Sequence, residues 1–522
     1  MTGFASHLRL FAGKMSSSDF STTEPTIAAE HVPSDHFLAQ RPISPRPPTP
    51  ADPTQVDTSS LAAADFDVSV ESGFLPPQEP VQSLAHLGPA WRELELCLQA
   101  AADEVQQHSG GAVGKLSDRF RRRVANLPTV DTSLLTTLPL LRRAHTLLAH
   151  VTHYYMHSSF PSQTVVPAAL AVPLVYTSDK LGLPPILTYA DTVLWVWKLI
   201  DPTQPLRADN VDISTNFTTS SSERAFFLLS LFCELHGPAI LRLMSSTLDE
   251  AFFADRVALS RIATYLRSIA LLIDELKTLM HDAIKGEFGP PPNRQTILPG
   301  TFYWEIRPWF NGGKWTYERA GPDGQDIELE FGGPSAGQSS LVHAIDIFLG
   351  VDHAPRPSPS NSASQTKSGG LSDSTFMQRM SAYMPHHHRS FLEHLVSIHN
   401  PTEPTSSSIP SLRTLALRHP TLQPAYDAAV ESMKKFRDTH IILATHFIVA
   451  QARHPPAIDS VHFQEWEAKR LMKEQAEIVR RREESAIDKK EEVVVGTGGT
   501  DLSSFLKLCR DRTKEALIAS TP

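Results

Sequence analysis

The stretch KKFRDTHIILATHF, residues 434–447, decides the fold class, because its apolar residues recur at helical spacing and carry a histidine among them. Phe436, His440, Leu443 and Phe447 fall on one stripe of a helix. His446, six positions beyond His440, lies about 240° round the axis and misses that stripe. One imidazole therefore faces inward. Such an imidazole is either a core residue satisfied through its ring N–H or a ligand that gives its other nitrogen to a metal. Arg437 stands one turn earlier, about 60° from His440, where it can meet an anion at the edge of whatever His440 touches. A flat apolar cofactor with peripheral carboxylates and one axial histidine, which describes haem, uses both residues. This helix alone leaves the core reading and the ligand reading open.

Outward from it, most of the chain reads as helix. Trp91, Leu94, Leu98 and Ala101 keep helical spacing, and further helices are predicted near 132–157, 188–200, 224–247, 249–284, 337–350, 374–398 and 422–451. Sustained alternation is missing, so the predicted class is all-α. Residues 1–68, rich in Pro, Ser and Thr, form an expected disordered tail, since they have too little apolar surface to offset ordering entropy. A small helical domain is expected over 69–205 and a larger helical domain over 206–522. Flexible insertions are expected near 353–372 and 454–497, and 399–411 is a further loop. The charged block 463–492 reads as a solvated helix.

The 522 residues carry a net charge of -9 with dispersed basic residues, which argues against a nucleic-acid surface. Cys97, Cys233 and Cys509 are too far apart to suggest a disulfide framework and favour a reducing compartment, so a cytoplasmic location is expected. The acid-free opening MTGFASHLRLFAGKMSSS leaves an organelle-targeting signal as the alternative. No apolar run approaches the roughly 20 residues of a bilayer span. HExxH, the phosphate-loop pattern and ExxH pairs are missing. His150, His153 and His157 share a helical face but have no acidic or cysteine partner nearby, and are expected at the surface or the edge of the core.

Seven segments in order shift the balance at His440: LPPILTYADTVLWVWKLIDP (183–202), RAFFLLS (224–230), FYWEIRPW (302–309), SAGQSSLVHAIDIFLG (335–350), YMPHHHRSFLEHL (383–395), RDTHIILATHFIV (437–449) and GTGGTDLSSFLK (496–507). From about residue 71 to the C-terminus the chain resembles the fungal-type indoleamine 2,3-dioxygenase family of haem enzymes.

The resemblance implies haem b with iron bound by His440, Arg437 near a haem propionate, and Asp346 supporting haem binding from behind. It implies a distal pocket with Phe226 and Ser230, and a substrate clamp in which Phe302 packs on the indole ring and Arg307 pairs with the amino-acid carboxylate. Arginine suits that task because its planar fork donates two parallel hydrogen bonds. Tyr189, Thr192, Val193, Ser335, Ala336 and Thr500 are implied to line the substrate site. The implied reaction cleaves the indole C2–C3 bond of L-tryptophan with O2, giving N-formylkynurenine at the head of the kynurenine route to NAD. Such an enzyme acts as a monomer, needs an external reductant to keep its iron ferrous, and has no nucleic-acid or membrane partner. Pro334 departs from the family pattern ahead of GQSS, and by fixing φ and removing an N–H it bears on substrate affinity. The alternative is a haem-binding sensor or low-activity paralogue, although that reading does not require the retained Phe302 and Arg307.

Overall fold

In the computed structural model the described residues are 61, 63–107, 116–159, 162–291, 293–353, 376–399, 410–456 and 502–518, with a few helical positions between 463 and 471. The expected tail up to residue 60, the insertion 353–372 beyond His353, most of 454–497, and Thr500 lie outside them. The described elements are α1 (Pro89–Gln107), α2 (Asp118–Ala125), α3 (Leu138–Met156), β1 (Val165–Val166), α4 (Ala168–Leu181), β2 (Trp197–Leu199), β3 (Val211–Ile213), α5 (Ser221–Glu234), α6 (Gly237–Phe253) and α7 (Arg256–Lys285). They continue with β4 (Gly313–Tyr317), β5 (Ile327–Phe331), α8 (Ser340–Leu349), α9 (Phe376–Ser381), α10 (His386–His399), α11 (Leu412–Arg418), α12 (Gln423–Ala444) and α13 (Leu502–Glu515). The fold is all-α, as expected.

Local chemistry sets these boundaries. Asp255 caps α7 by accepting from the backbone N–H groups of Val257 and Ala258, and Gly286 ends it with φ 104°. Between the caps Ile262, Leu266, Ile269, Ile273 and Leu276 form one buried stripe, which packs along α12. Two small sheets accompany the helices: β1 pairs in parallel with β4, β4 pairs antiparallel with β5, and β2 pairs antiparallel with β3. The expected helix over 188–200 is instead a π-helical turn, Ala190–Leu194, followed by β2. At its end Val196 and Trp197, β-branched and aromatic, favour extended backbone once residues 211–214 supply a partner.

Buried apolar side chains fall into two clusters. The first joins α1–α5 to Phe302–Tyr317, and the second joins Leu61–Phe74 to α6, most of α7, α8, α10 and α12. Two expected boundaries change accordingly. Leu61, Phe66 and Val68 are 0–1% exposed, with Phe66 against Phe391 and His394, so the folded body begins before residue 69. The division at 205/206 falls between the paired strands β2 and β3, and Phe217, Phe227 and Phe232 belong to the first cluster. Ser221–Phe253 is the one helical stretch among the described residues apolar and long enough to cross a bilayer by composition. Its Leu228, Leu231, Ile240, Leu241 and Met244 are buried in the two clusters.

α3 is buried on nearly every side, which corrects the expectation for its histidines. His150, His153 and His157 are 0%, 0% and 6% exposed. Each ring donates to a backbone carbonyl: His150 Nδ1 to Thr146 at 2.8 Å, His153 Nδ1 to Trp309 at 2.8 Å, and His157 Nε2 to Asn311 at 2.8 Å. His153 Nε2 in turn accepts from the Leu187 N–H at 3.3 Å. Burial pushes their pKa values down to about 4, 3 and 4. The unfolded chain therefore binds protons that the folded chain refuses, and stability is complete above about pH 6.5 and falls as pH drops toward 4. Each histidine steepens the fall by up to about 1.4 kcal/mol per pH unit. Thermal melts from pH 7.5 to 5 are expected to show this slope, reduced in His150→Gln; a variant with an unchanged slope counts against the assignment.

Candidate functional site

α12 crosses from one core to the other. Its Tyr426, Ala429, Val430 and Met433 belong to the second cluster, while Leu443, and Phe447 just beyond its end, pack in the first. His440 stands where the two meet. Burial, with a smaller push from the Arg437 charge, lowers its pKa to about 4 and keeps the imidazole neutral. The ring nevertheless retains partial solvent exposure and makes no hydrogen bond among the described residues. A histidine of the packed core is hydrogen-bonded. His440 instead stands partly exposed, with neither ring nitrogen hydrogen-bonded among the described residues.

The structure joins Asp346 and Arg437 in one buried ion pair. Arg437 Nη1 and Nη2 donate to the two Asp346 carboxyl oxygens at 3.0 and 2.5 Å, Arg437 also donates to Thr513 of α13, and His353 Nε2 lies 2.9 Å from Asp346 Oδ2. Burial alone would raise the Asp346 pKa, but the Arg437 charge and the His353 bond hold it well below the usual carboxylate range. Arg437, expected at a propionate, thus spends its fork on Asp346. Together the pair fixes α8 and α13 to the helix that carries His440, one turn below the imidazole.

Phe226, Phe302 and Phe447 meet in one aromatic group: ring centroids lie 4.6 Å apart for Phe226–Phe302 and 6.0 Å for Phe302–Phe447. Phe302–Ile306 is a π-helical turn, closed by the Arg307 N–H to the Phe302 carbonyl. Residues five apart on an α-helix lie about 140° apart; the wider turn brings Phe302 and Arg307 onto one face. Arg307 is largely buried with its guanidinium 5.5 Å from the Tyr303 ring, and burial lowers its pKa. The next turn, Arg307–Phe310, is held to α3 by the His153 and His157 bonds to Trp309 and Asn311. Ser230, one turn after Phe226 on α5, makes no hydrogen bond among the described residues and keeps partial exposure. Its hydroxyl has not turned back to its own helix, the usual fate of a helical serine.

The remaining expected wall residues divide between two segments. Tyr189 precedes the π turn Ala190–Leu194, which carries Thr192 and Val193, 3% and 2% exposed. Asp191 anchors that turn, accepting from Thr146 Oγ1, from Thr188 N and Oγ1, and pairing with His145 at 2.8 Å. Ser335 caps the short turn Ala336–Gln338, in which Ala336 is exposed. Gly333 is required just before it, because a Cβ there would stand 1.7 Å from the Phe310 carbonyl oxygen. Pro334 is buried beside it. Sequence reasoning missed Glu234, Gln338 and Ser339, which tie these segments together. The four-residue spacing of Phe226, Ser230 and Glu234 was the available signal.

These residues fit a haem better than a bare ion. Among the described residues no group of three or more His, Cys, Asp or Glu could hold a metal, whereas one neutral imidazole with no hydrogen-bond partner among the described residues suits axial ligation of haem iron.

The sequence model described as indoleamine 2,3-dioxygenase matches residues 62–516. An indoleamine 2,3-dioxygenase 1 from Rattus norvegicus is 30% identical over 411 residues, 77% of this chain and 86% of the relative. An indoleamine 2,3-dioxygenase from Saccharomyces cerevisiae is 31% identical over 405 residues, 74% and 80% of the two chains. A 6-hydroxytryptophan 2,3-dioxygenase from Fusarium equiseti is 27% identical over 467 residues, 87% and 98% of the two chains.

Proposed function

Because this chain belongs to the indoleamine 2,3-dioxygenase family, whose members are dioxygenases, we propose that it is a haem b-dependent enzyme that cleaves the indole C2–C3 bond of L-tryptophan with O2 to give N-formylkynurenine. The single observation that carries this reading is His440, a neutral imidazole without a hydrogen-bond partner among the described residues, at the meeting of the two cores. Its product feeds the kynurenine route toward NAD, and the enzyme works as a monomer with an external reductant. Three cysteines without bridges support a reducing, cytoplasmic setting.

Haem held by His440 supplies the iron at which O2 is activated. The protein's own share is placement and exclusion of water. Phe226 and Phe302 pack the indole ring, Arg307 fixes the carboxylate, and the Ser230 hydroxyl offers a hydrogen bond beside the reacting face. The aromatic group of Phe226, Phe302 and Phe447 keeps water from the reacting atoms. No general base is assigned, and none of these side chains has to take up a proton.

An anaerobic ferrous spectrum followed by addition of O2 and L-tryptophan tests the reading, with N-formylkynurenine absorbance as the product signal. A 6-hydroxytryptophan arm belongs in the same assay, given the Fusarium relative. A normal Soret band without turnover of either substrate would favour the sensor reading. Arg307→Ala is expected to raise KM for L-tryptophan about a hundredfold, since a buried charge-assisted pair is lost. Arg307→Lys is expected to recover only part, having the charge without the fork. Equal KM values for wild type and the alanine variant would remove Arg307 from the clamp.

A further inference from the structure

Glu234 closes α5 on the face that carries Phe226 and Ser230, eight and four residues earlier. It is 1% exposed. Its Oε1 accepts two hydrogen bonds, from the Tyr189 hydroxyl at 2.9 Å and from Ser339 Oγ at 2.7 Å, while Oε2 is buried without a partner among the described residues. The two donors come from different segments. Tyr189 leads into the turn with Thr192 and Val193, and Ser339 follows the turn with Ser335 and Ala336. Gln338 ties the same segments again, accepting from the Tyr189 N–H at 2.8 Å and donating to the Gly333 carbonyl at 2.9 Å.

We propose that Glu234 is a positioning residue of the substrate site, setting the spacing between the helix that presents Phe226 and Ser230 and the two wall segments opposite, without touching substrate itself. The inference rests on the tryptophan-binding reading above. A carboxyl group buried for packing alone would be a poor choice, because a leucine of similar size fills the same space without a desolvation cost. What leucine lacks is the shared acceptor. One oxygen that receives both Tyr189 and Ser339 fixes three segments at a single point. Loss of that point leaves two buried hydroxyls unsatisfied and lets the walls separate. Burial raises the Glu234 pKa to about 7, the bonds from Ser339 and Tyr189 opposing the rise, so the neutral acid is well populated at physiological pH. A glutamine is then its nearest substitute, since the amide oxygen keeps the acceptor.

The test compares Glu234→Leu, Glu234→Gln and wild-type holoenzyme. Glu234→Leu is expected to retain stoichiometric haem and kcat within about threefold, but to raise KM for L-tryptophan at least tenfold. Glu234→Gln is expected to stay within about threefold of wild type in both. Affinity is read independently from the ferric Soret shift on titration with L-tryptophan, which needs no turnover. A wild-type protein without that shift overturns this proposal together with the tryptophan reading. A responding wild type with the same affinity in Glu234→Leu overturns this proposal alone, as does a Leu variant that loses stability and haem while the folded fraction keeps its KM. Should Glu234→Leu fail to fold, Tyr189→Phe with Ser339→Ala removes both donors and is expected to raise KM similarly. Unchanged KM in that double variant overturns the proposal as well.

Discussion

His440→Ala is expected to purify as a folded protein that has lost its Soret band. Two observations make the separation clean. The imidazole makes no hydrogen bond among the described residues, so its removal orphans no buried donor or acceptor. It also keeps partial exposure, so alanine forfeits little packing, and alanine favours the helix. Far-UV circular dichroism is therefore expected to match wild type while haem content falls to background. Imidazole added at millimolar concentration, free to enter the vacated position, is expected to restore part of the haem absorbance. A variant that retains stoichiometric haem would falsify the ligand assignment.

Asp346→Ala is expected to be the most damaging single change to stability. It leaves the Arg437 guanidinium, 6% exposed, without its carboxylate. Breaking a buried pair from one side costs about 3–5 kcal/mol, because the surviving charge cannot recover its hydration. That is a large part of a domain's margin of about 5–15 kcal/mol. Haem affinity is expected to fall with stability, since the pair holds α8 and α13 against the helix of His440. The informative companion is Asp346→Leu with Arg437→Met. If the harm lies in the uncompensated charge, this double variant recovers most of the thermal stability. If it melts as low as the single variant, the pair contributes attraction beyond the cancelled penalty.

Helical spacing made His440 legible, because α12 holds regular α geometry from Gln423 to Ala444. The same arithmetic could not pair Phe302 with Arg307. Five residues apart predicts opposite sides, and only the resemblance brought them together. The histidines of α3 were misjudged for another reason: the carbonyls that receive His153 and His157, those of Trp309 and Asn311, lie more than 150 residues away, and no local pattern announces them. Helix α4 escaped notice because Pro167 precedes it and Pro173 lies inside it, where proline usually signals a break. Asp346 and Arg437 were both identified, yet their union was not, since a carboxylate and a guanidinium 91 positions apart carry no mark of pairing.

Among the described residues the π turns Ala190–Leu194, Phe302–Ile306 and Thr445–Val449 each touch this site. Each lodges a surplus residue that an ordinary helical coil has no room for. Closing such a turn to ordinary α geometry with one residue fewer would leave the chain beyond it nearly in phase, whereas adding a residue to a regular helix turns everything after it by about 100°. The wide turns therefore let one additional residue stand at the reaction chamber without twisting the rest of the helix away from it.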